Sequence, residues 1–310
     1  MIINTGSRTD IPAYFSEWFI NRIKEGYVYV RNPYYMNQVT KYILLPDVVD
    51  CLVFCTKNPE PIISKLHQIN KYNQLWFVTI TPYEEEIEPH VPSKEKVISS
   101  FQKLSSIIGK ENILWRYDPI FISEKYTLEK HIYEFEKIAS RISGYTDECV
   151  ISFIDLYEKT KKNFVGVKEV SKEAKEEIAK EFVKIGSKYN IKIKTCVEGN
   201  KLSIYGVDCS GCMTKNVIEK AIGVNLKIQK KKSIRQGCDC LLGNDIGMYN
   251  TCGHGCIYCY ANYDKKSVYG NMKKHNPNSP FLIGGCLDED IIKLAKQESF
   301  IQRQISLFDF

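Results

Sequence analysis

Cys252, Cys256 and Cys259 form a C-x-x-x-C-x-x-C pattern, with the aromatic Tyr258 just before the last cysteine. Three thiolates this close along a chain can hold three irons of a cubane and leave the fourth iron without a protein sulfur. Complete ferredoxin-type sets ligate every iron from the protein, and their spacing differs. An iron lacking a protein ligand can bind a substrate or cofactor directly. Gly253 and Gly255 let the loop curl where a side chain would obstruct it. The competing reading is a structural zinc knuckle, but zinc favours paired C-x-x-C units, and the three-residue gap fits that poorly. His254 reads as a hydrogen-bond donor to the bound group rather than as an iron ligand.

A second set consists of Cys209 and Cys212 with Cys238 and Cys240. Four thiolates in two pairs can close a complete site, for either zinc or an auxiliary 4Fe–4S cluster. Cys196 and Cys286 are spare candidates. Cys51 and Cys55 point to one face of a strand, because side chains alternate with period two, and read as buried packing.

Short apolar runs must position these residues. Strands are predicted at Ile2–Asn4, Tyr27–Val30, Cys51–Phe54, Leu75–Ile80, Ile113–Trp115, Val150–Phe153 and Ile191–Lys194. Amphipathic stretches lie between them, through Ala13–Lys24, Glu60–Lys71, Lys94–Ile108, Leu128–Ile142 and Lys172–Lys188. In the clearest, Leu128, Ile132, Phe135, Ile138 and Ile142 recur at spacings of three and four and line one face. Ser93, Thr127 and Ser171 stand where N-caps belong. Seven strand–helix units predict an α/β fold, a TIM-like (β/α) barrel, closed, partial or permuted, over residues 1–199. From about Asn200 the texture changes, and 200–310 is predicted as a C-terminal cysteine-rich iron–sulfur module over the barrel mouth.

In such barrels the C-terminal ends of the strands build the site. Cations stand there four times, as Arg8, Arg31, Lys57 and Arg116. Arg8, Lys57 and Arg116 are candidates to grip a carboxylate or phosphate. Asp10, Asp118, Asp155 and Glu198 either bind cofactor hydroxyls or ammonium, or neutralise the rim cations.

The 310-residue chain carries a formal charge of +6, which tolerates a nucleic acid or phosphorylated substrate without demanding one. Nothing resembles a secretory signal or a membrane span. Twelve cysteines without an export signal point to a reducing compartment, the cytoplasm, and to metal ligation rather than disulfides.

The pattern C-x-x-x-C-x-aromatic-C resembles the signature of the radical S-adenosylmethionine superfamily. The run Cys252-Gly253-His254-Gly255-Cys256-Ile257-Tyr258-Cys259-Tyr260-Ala261 is similar to relatives of spore photoproduct lyase, a DNA-repair enzyme. The whole chain resembles a family catalogued as a domain of unknown function, number eighteen forty-eight. Ser7-Arg8-Thr9-Asp10-Ile11-Pro12, Thr56-Lys57-Asn58-Pro59, Arg116-Tyr117-Asp118-Pro119-Ile120 and Asp245-Ile246-Gly247 carry that likeness.

The superfamily resemblance implies a 4Fe–4S cluster, S-adenosylmethionine as cofactor, and cleavage to a 5′-deoxyadenosyl radical acting on an unknown substrate, with nucleic acid one option. It also implies an external electron donor such as a flavodoxin or ferredoxin. The superfamily's cysteine loop usually follows the first barrel strand, whereas here it lies near the C-terminus, so the analogy requires a permuted barrel. The superfamily's Gly-Gly-Glu element has only Gly284-Gly285-Cys286 as a counterpart.

Two other classes compete: an iron–sulfur or zinc protein that binds nucleic acid, using the basic run Lys227 to Lys232, and an electron-transfer protein. The tail Gln304-Ile305-Ser306-Leu307-Phe308 resembles the pentapeptide by which bacterial replication and repair proteins hold the sliding clamp. That implies a link to DNA, unless Leu307, Phe308 and Phe310 pack on the protein's own surface.

Overall fold

The structure is a computed structural model that describes residues 1–228, 240–241 and 243–301. In chain order, β1 (Ile2–Asn4) leads to helices α1 (Ile11–Tyr14) and α2 (Ser16–Glu25), then to β2 (Tyr27–Arg31) and β3 (Gln38–Ile43). β4 (Cys51–Thr56) is followed by α3 (Glu60–Ile63), β5 (Gln74–Thr79) by α4 (Lys94–Ile108), and β6 (Ile113–Ile120) by α5 (Leu128–Ile142). β7 (Glu148–Phe153) is followed by α6 (Glu158–Asn163) and α7 (Lys172–Lys188). β8 (Lys192–Thr195), α8 (Lys215–Ile222), β9 (Asn244–Asp245), α9 (Lys265–Met272) and β10 (Ile291–Leu294) complete the order.

Seven strands form one parallel sheet in the order β8-β7-β6-β5-β4-β1-β9. From β1 to β8 each new strand joins on the same side of its predecessor. Right-handed crossovers repeated in one direction place the connecting helices on one face. A doubly wound sheet reverses its order and covers both faces with crossover helices. Among the described residues, the edge strands β8 and β9 are not paired to each other.

Strand alternation sorts the side chains between two apolar layers. Leu52, Phe54, Trp76, Val78, Trp115 and Ile151 face the helices. There Trp115 stacks on Phe135 of α5 at 4.6 Å between ring centroids, and Phe135 stacks on Phe182 of α7 at 3.7 Å. The three-and-four spacing read in α5 is therefore the stripe buried on the sheet, and Thr127 caps that helix by accepting from the Lys130 amide. On the opposite face Ile2, Cys51, Val53, Leu75, Phe77, Leu114 and Val150 pack against Met213, Val217, Ile218 and Leu226. Cys51 and Cys55 do share this face, as the period of two requires.

The sheet departs from expectation in two places. β2 leaves the main sheet for a smaller one, ordered β10-β3-β2. Its alternation reads the same in either setting, so the sequence could not assign it. Arg31 therefore does not stand on the rim; it pairs with Asp290 and lies over Phe281. The second departure is β9, which lies beyond residue 199 and yet pairs with β1, Ile3 opposite Asn244 and Asn4 opposite Asp245. The sheet thus takes a strand from each side of the expected domain boundary. No helix among the described residues is long and apolar enough to cross a membrane.

Candidate metal centre

Asp245 fixes the start of the three-cysteine loop. Its carboxylate accepts from the Ser7 amide at 2.8 Å and from Arg8 Nε at 2.8 Å, tying β9 to the segment after β1. Arg8 is thus committed to Asp245, and its guanidinium lies 5.9 Å from the Tyr249 ring. The loop then closes on itself. The Asn250 amide donates to the Ala261 carbonyl, and Asn262 Nδ2 donates to the Cys252 carbonyl. Gly255 adopts φ +70°, the left-handed region glycine enters without strain, and a Cβ on Gly253 would lie 2.7 Å from the Tyr14 ring.

The segment after β5 clamps the loop from the side. The His90 amide donates to the His254 carbonyl and the Ile257 amide to the Ile87 carbonyl, each at 3.0 Å. His254 is buried, and its Nε2 lies 2.8 Å from Asp10 Oδ2. An ionised carboxylate only accepts, so Nε2 carries a proton. Nδ1 lies 3.1 Å from the Tyr14 hydroxyl, which donates to it when the ring is neutral. Both ring nitrogens are therefore engaged by Asp10 and Tyr14, where the sequence suggests a donor to a bound group.

Asp10 also caps α1 through the Ala13 amide and accepts from the Lys57 amide at 2.8 Å. One carboxylate thereby joins the segment after β1, the segment after β4 and the cysteine loop. Beside it, Lys57 Nζ lies 2.9 Å from Glu88, which also accepts from Thr81 at 2.8 Å and from the Tyr258 hydroxyl. Burial acts to lower the Lys57 ammonium, but Glu88 and Cys256 outweigh it and hold the pKa above its ordinary value.

The Cys252 and Cys256 thiols are pushed well above their usual range, first by burial and then by Asp10 and Glu88 respectively. Bare thiolates are thus costly here, and a bound cation is what offsets that cost.

The remaining rim residues lie on β6 and just past β7 and β8. Arg116 pairs with Asp118 at 2.6 Å, and Asp118 also accepts from Ser152. Burial acts to lower Arg116, but Asp118, Cys212, Cys55 and Cys196 together hold it well above its ordinary value. Glu198 accepts from the Phe153 amide at 2.8 Å and from Lys175 at 2.9 Å, with burial raising its pKa. Asp155 is exposed at the end of β7, 3.3 Å from the Tyr157 hydroxyl. Arg8, Lys57 and Arg116 each have a carboxylate partner, the neutralising arrangement weighed from the sequence. Two of those partners, Glu88 and Asp245, were not singled out for that role. Asp245 stands out only within the run Asp245-Ile246-Gly247, and nothing in the local sequence of Glu88 distinguishes it from a surface acid.

The second cysteine set assembles with different membership. Cys196, just past β8, joins Cys212 and Cys240 in a group whose sulfurs all lie within 4.8 Å of one another. Cys209 is not in it; its thiol approaches the Val207 carbonyl instead. Cys238 lies outside the described residues, as do most of the basic run and the tail from Gln302. Cys286 is exposed, and the neighbouring Gly285 carbonyl accepts from Arg31 beside the smaller sheet. Among the described residues the 4.8 Å group occurs once, so the sulfurs of Cys252, Cys256 and Cys259 do not draw together as closely.

Fold and site together define an α/β protein with a singly wound parallel sheet and two separate thiol groups. The chain belongs to the family described as Domain of unknown function (DUF1848), whose family model matches residues 2–261. No curated protein and no solved structure matches the chain.

Proposed function

We propose that the chain is a radical S-adenosylmethionine enzyme on a permuted, partial (β/α) barrel, with Cys252, Cys256 and Cys259 holding three irons of a 4Fe–4S cluster. The supporting observation is the place of the loop. It follows the edge strand β9 and lies against the segments that follow β1, β4 and β5. Strand C-terminal ends are where barrel enzymes carry their chemistry. Cutting a ring of strands elsewhere leaves that end intact, so a loop late in the chain can occupy the position that an early loop occupies in an unpermuted barrel. These three sulfurs do not all lie within 4.8 Å of one another, so they are not gathered for one ion, and burial makes bare thiolates at Cys252 and Cys256 costly unless a cation binds them.

When bound, the cluster supplies one electron to break a carbon–sulfur bond of S-adenosylmethionine, releasing methionine and a 5′-deoxyadenosyl radical. The chain's own groups hold the surroundings. Asp10, His254 and Tyr14 fix the loop, while Glu88, Lys57 and Tyr258 form the wall beside Cys256. Arg116 and Asp118, paired on β6, remain the candidates to meet a cofactor carboxylate and ammonium.

The test is anaerobic reconstitution with iron and sulfide, followed by reduction and electron paramagnetic resonance. About four irons per chain should load, and the reduced signal should change when S-adenosylmethionine is added. Equal iron uptake by a C252A/C256A/C259A variant, or a signal indifferent to the cofactor, contradicts the proposal.

A further inference from the structure

We propose that Cys196, Cys212 and Cys240 bind a single tetrahedral, thiophilic metal ion of the zinc class, separate from the three-cysteine loop. Spacing carries this inference. Cys212 Sγ lies 3.3 Å from Cys196 Sγ and 3.5 Å from Cys240 Sγ. Around one ion with metal–sulfur bonds of ~2.3 Å, the edge of the tetrahedron is roughly 3.8 Å. A cubane separates its ligand sulfurs further, because each binds a different iron. The trio is therefore set for one ion, and of the two options open from the sequence the geometry favours zinc.

The surroundings suit bound thiolates. The Met213 amide donates to Cys240 Sγ at 3.3 Å, and the Arg116 guanidinium interacts electrostatically with both Cys196 and Cys212. Three thiolates on a divalent ion leave one excess negative charge, which the Arg116 guanidinium, shared with Asp118, offsets in part. Gly211, at φ +106°, allows the chain to turn here; a Cβ would stand 3.3 Å from Cys240 Sγ. Binding releases the three thiol protons to solvent.

Position suggests what the ion does. Cys196 directly follows β8, one edge of the sheet, and Cys240 shortly precedes β9, the other edge. Cys212 and Cys240 also belong to the apolar layer on the face opposite the crossover helices. The ion would thus fasten, across that face, two edges that share no hydrogen bonds, and anchor the segment leading into the three-cysteine loop.

The test uses the full chain, purified anaerobically without added metal, with zinc, iron and acid-labile sulfide counted. About one zinc-class ion per chain is expected, retained in C252A/C256A/C259A and in C209S, and lost in C196S/C212S. Should C196S/C212S fail to fold, cobalt loading of the intact chain decides. Tetrahedral d–d bands with thiolate charge transfer, displaced by zinc, support the site. Three outcomes overturn it: loss of the ion in C209S but not in C196S/C212S; iron with equimolar sulfide persisting in C252A/C256A/C259A; or a cobalt spectrum without thiolate charge transfer.

Discussion

The two groups of three cysteines differ in opposite ways along the chain and in space. Cys252, Cys256 and Cys259 are neighbours in sequence, on a single loop, yet their sulfurs do not gather within single-ion reach. Cys196, Cys212 and Cys240 come from well-separated segments and lie close enough for one ion. The first group is surrounded by Asp10, His254, Tyr14, Glu88, Lys57 and Tyr258, a polar network joined by hydrogen bonds. The second adjoins an apolar layer and has Arg116 as its nearby cation. Sequence spacing says which peptide closes around a group, whereas spatial separation says how large that group is.

Glu88 offers the largest break in this contrast. Glu88→Gln leaves the Lys57 ammonium buried without its counter-charge, which should cost about 3–5 kcal/mol in urea unfolding. Replacing both partners, as Lys57→Met with Glu88→Leu, should restore much of that loss. If the double replacement is as unstable as the single one, the pair is not the organising element of the loop's surroundings.

His131 shows what burial does to a titrating side chain even against a hydrogen bond that raises its pKa. Its Nε2 lies 2.8 Å from the Phe121 carbonyl and its Nδ1 2.9 Å from the Tyr117 hydroxyl, and burial lowers its pKa from 6.5 to about 4. Between those values the unfolded chain holds a proton that the folded chain does not, so stability rises with pH across that window. It should fall by about 3 kcal/mol as pH drops from 6.5 toward 4. The difference between wild type and His131→Gln, measured by unfolding at several pH values, should carry this slope. A constant difference would refute it.

Tyr14→Phe should have the smallest effect. It removes one hydrogen bond to His254, worth about 1 kcal/mol, and should leave iron loading unchanged because the Asp10 contact remains. Loss of the iron would show that the loop depends on the Tyr14 hydroxyl itself.

Much of the main sheet was legible because its strands are apolar on both faces and its long helices carry spaced apolar stripes. β9 was not legible. It is an Asn-Asp pair with no pattern of its own, held in place by Ser7 and Arg8 from the far end of the chain. The three-cysteine loop stood out because its cysteines are close together in the sequence. The membership of the second group did not, because the C-x-x-C pair Cys209–Cys212 drew attention from Cys196, a single cysteine at a strand end. Glu88 stayed hidden for a related reason: only folding brings Lys57, Thr81 and Tyr258 around it.

The central claim, radical chemistry at the three-cysteine loop, is tested most directly by product analysis. Reconstituted protein is reduced anaerobically with S-adenosylmethionine and the mixture is separated by chromatography. The account predicts 5′-deoxyadenosine and methionine in equal amounts from the wild type and from C209S, and neither from C252A/C256A/C259A. A fully loaded, reduced wild-type protein that binds the cofactor and forms no 5′-deoxyadenosine would contradict it.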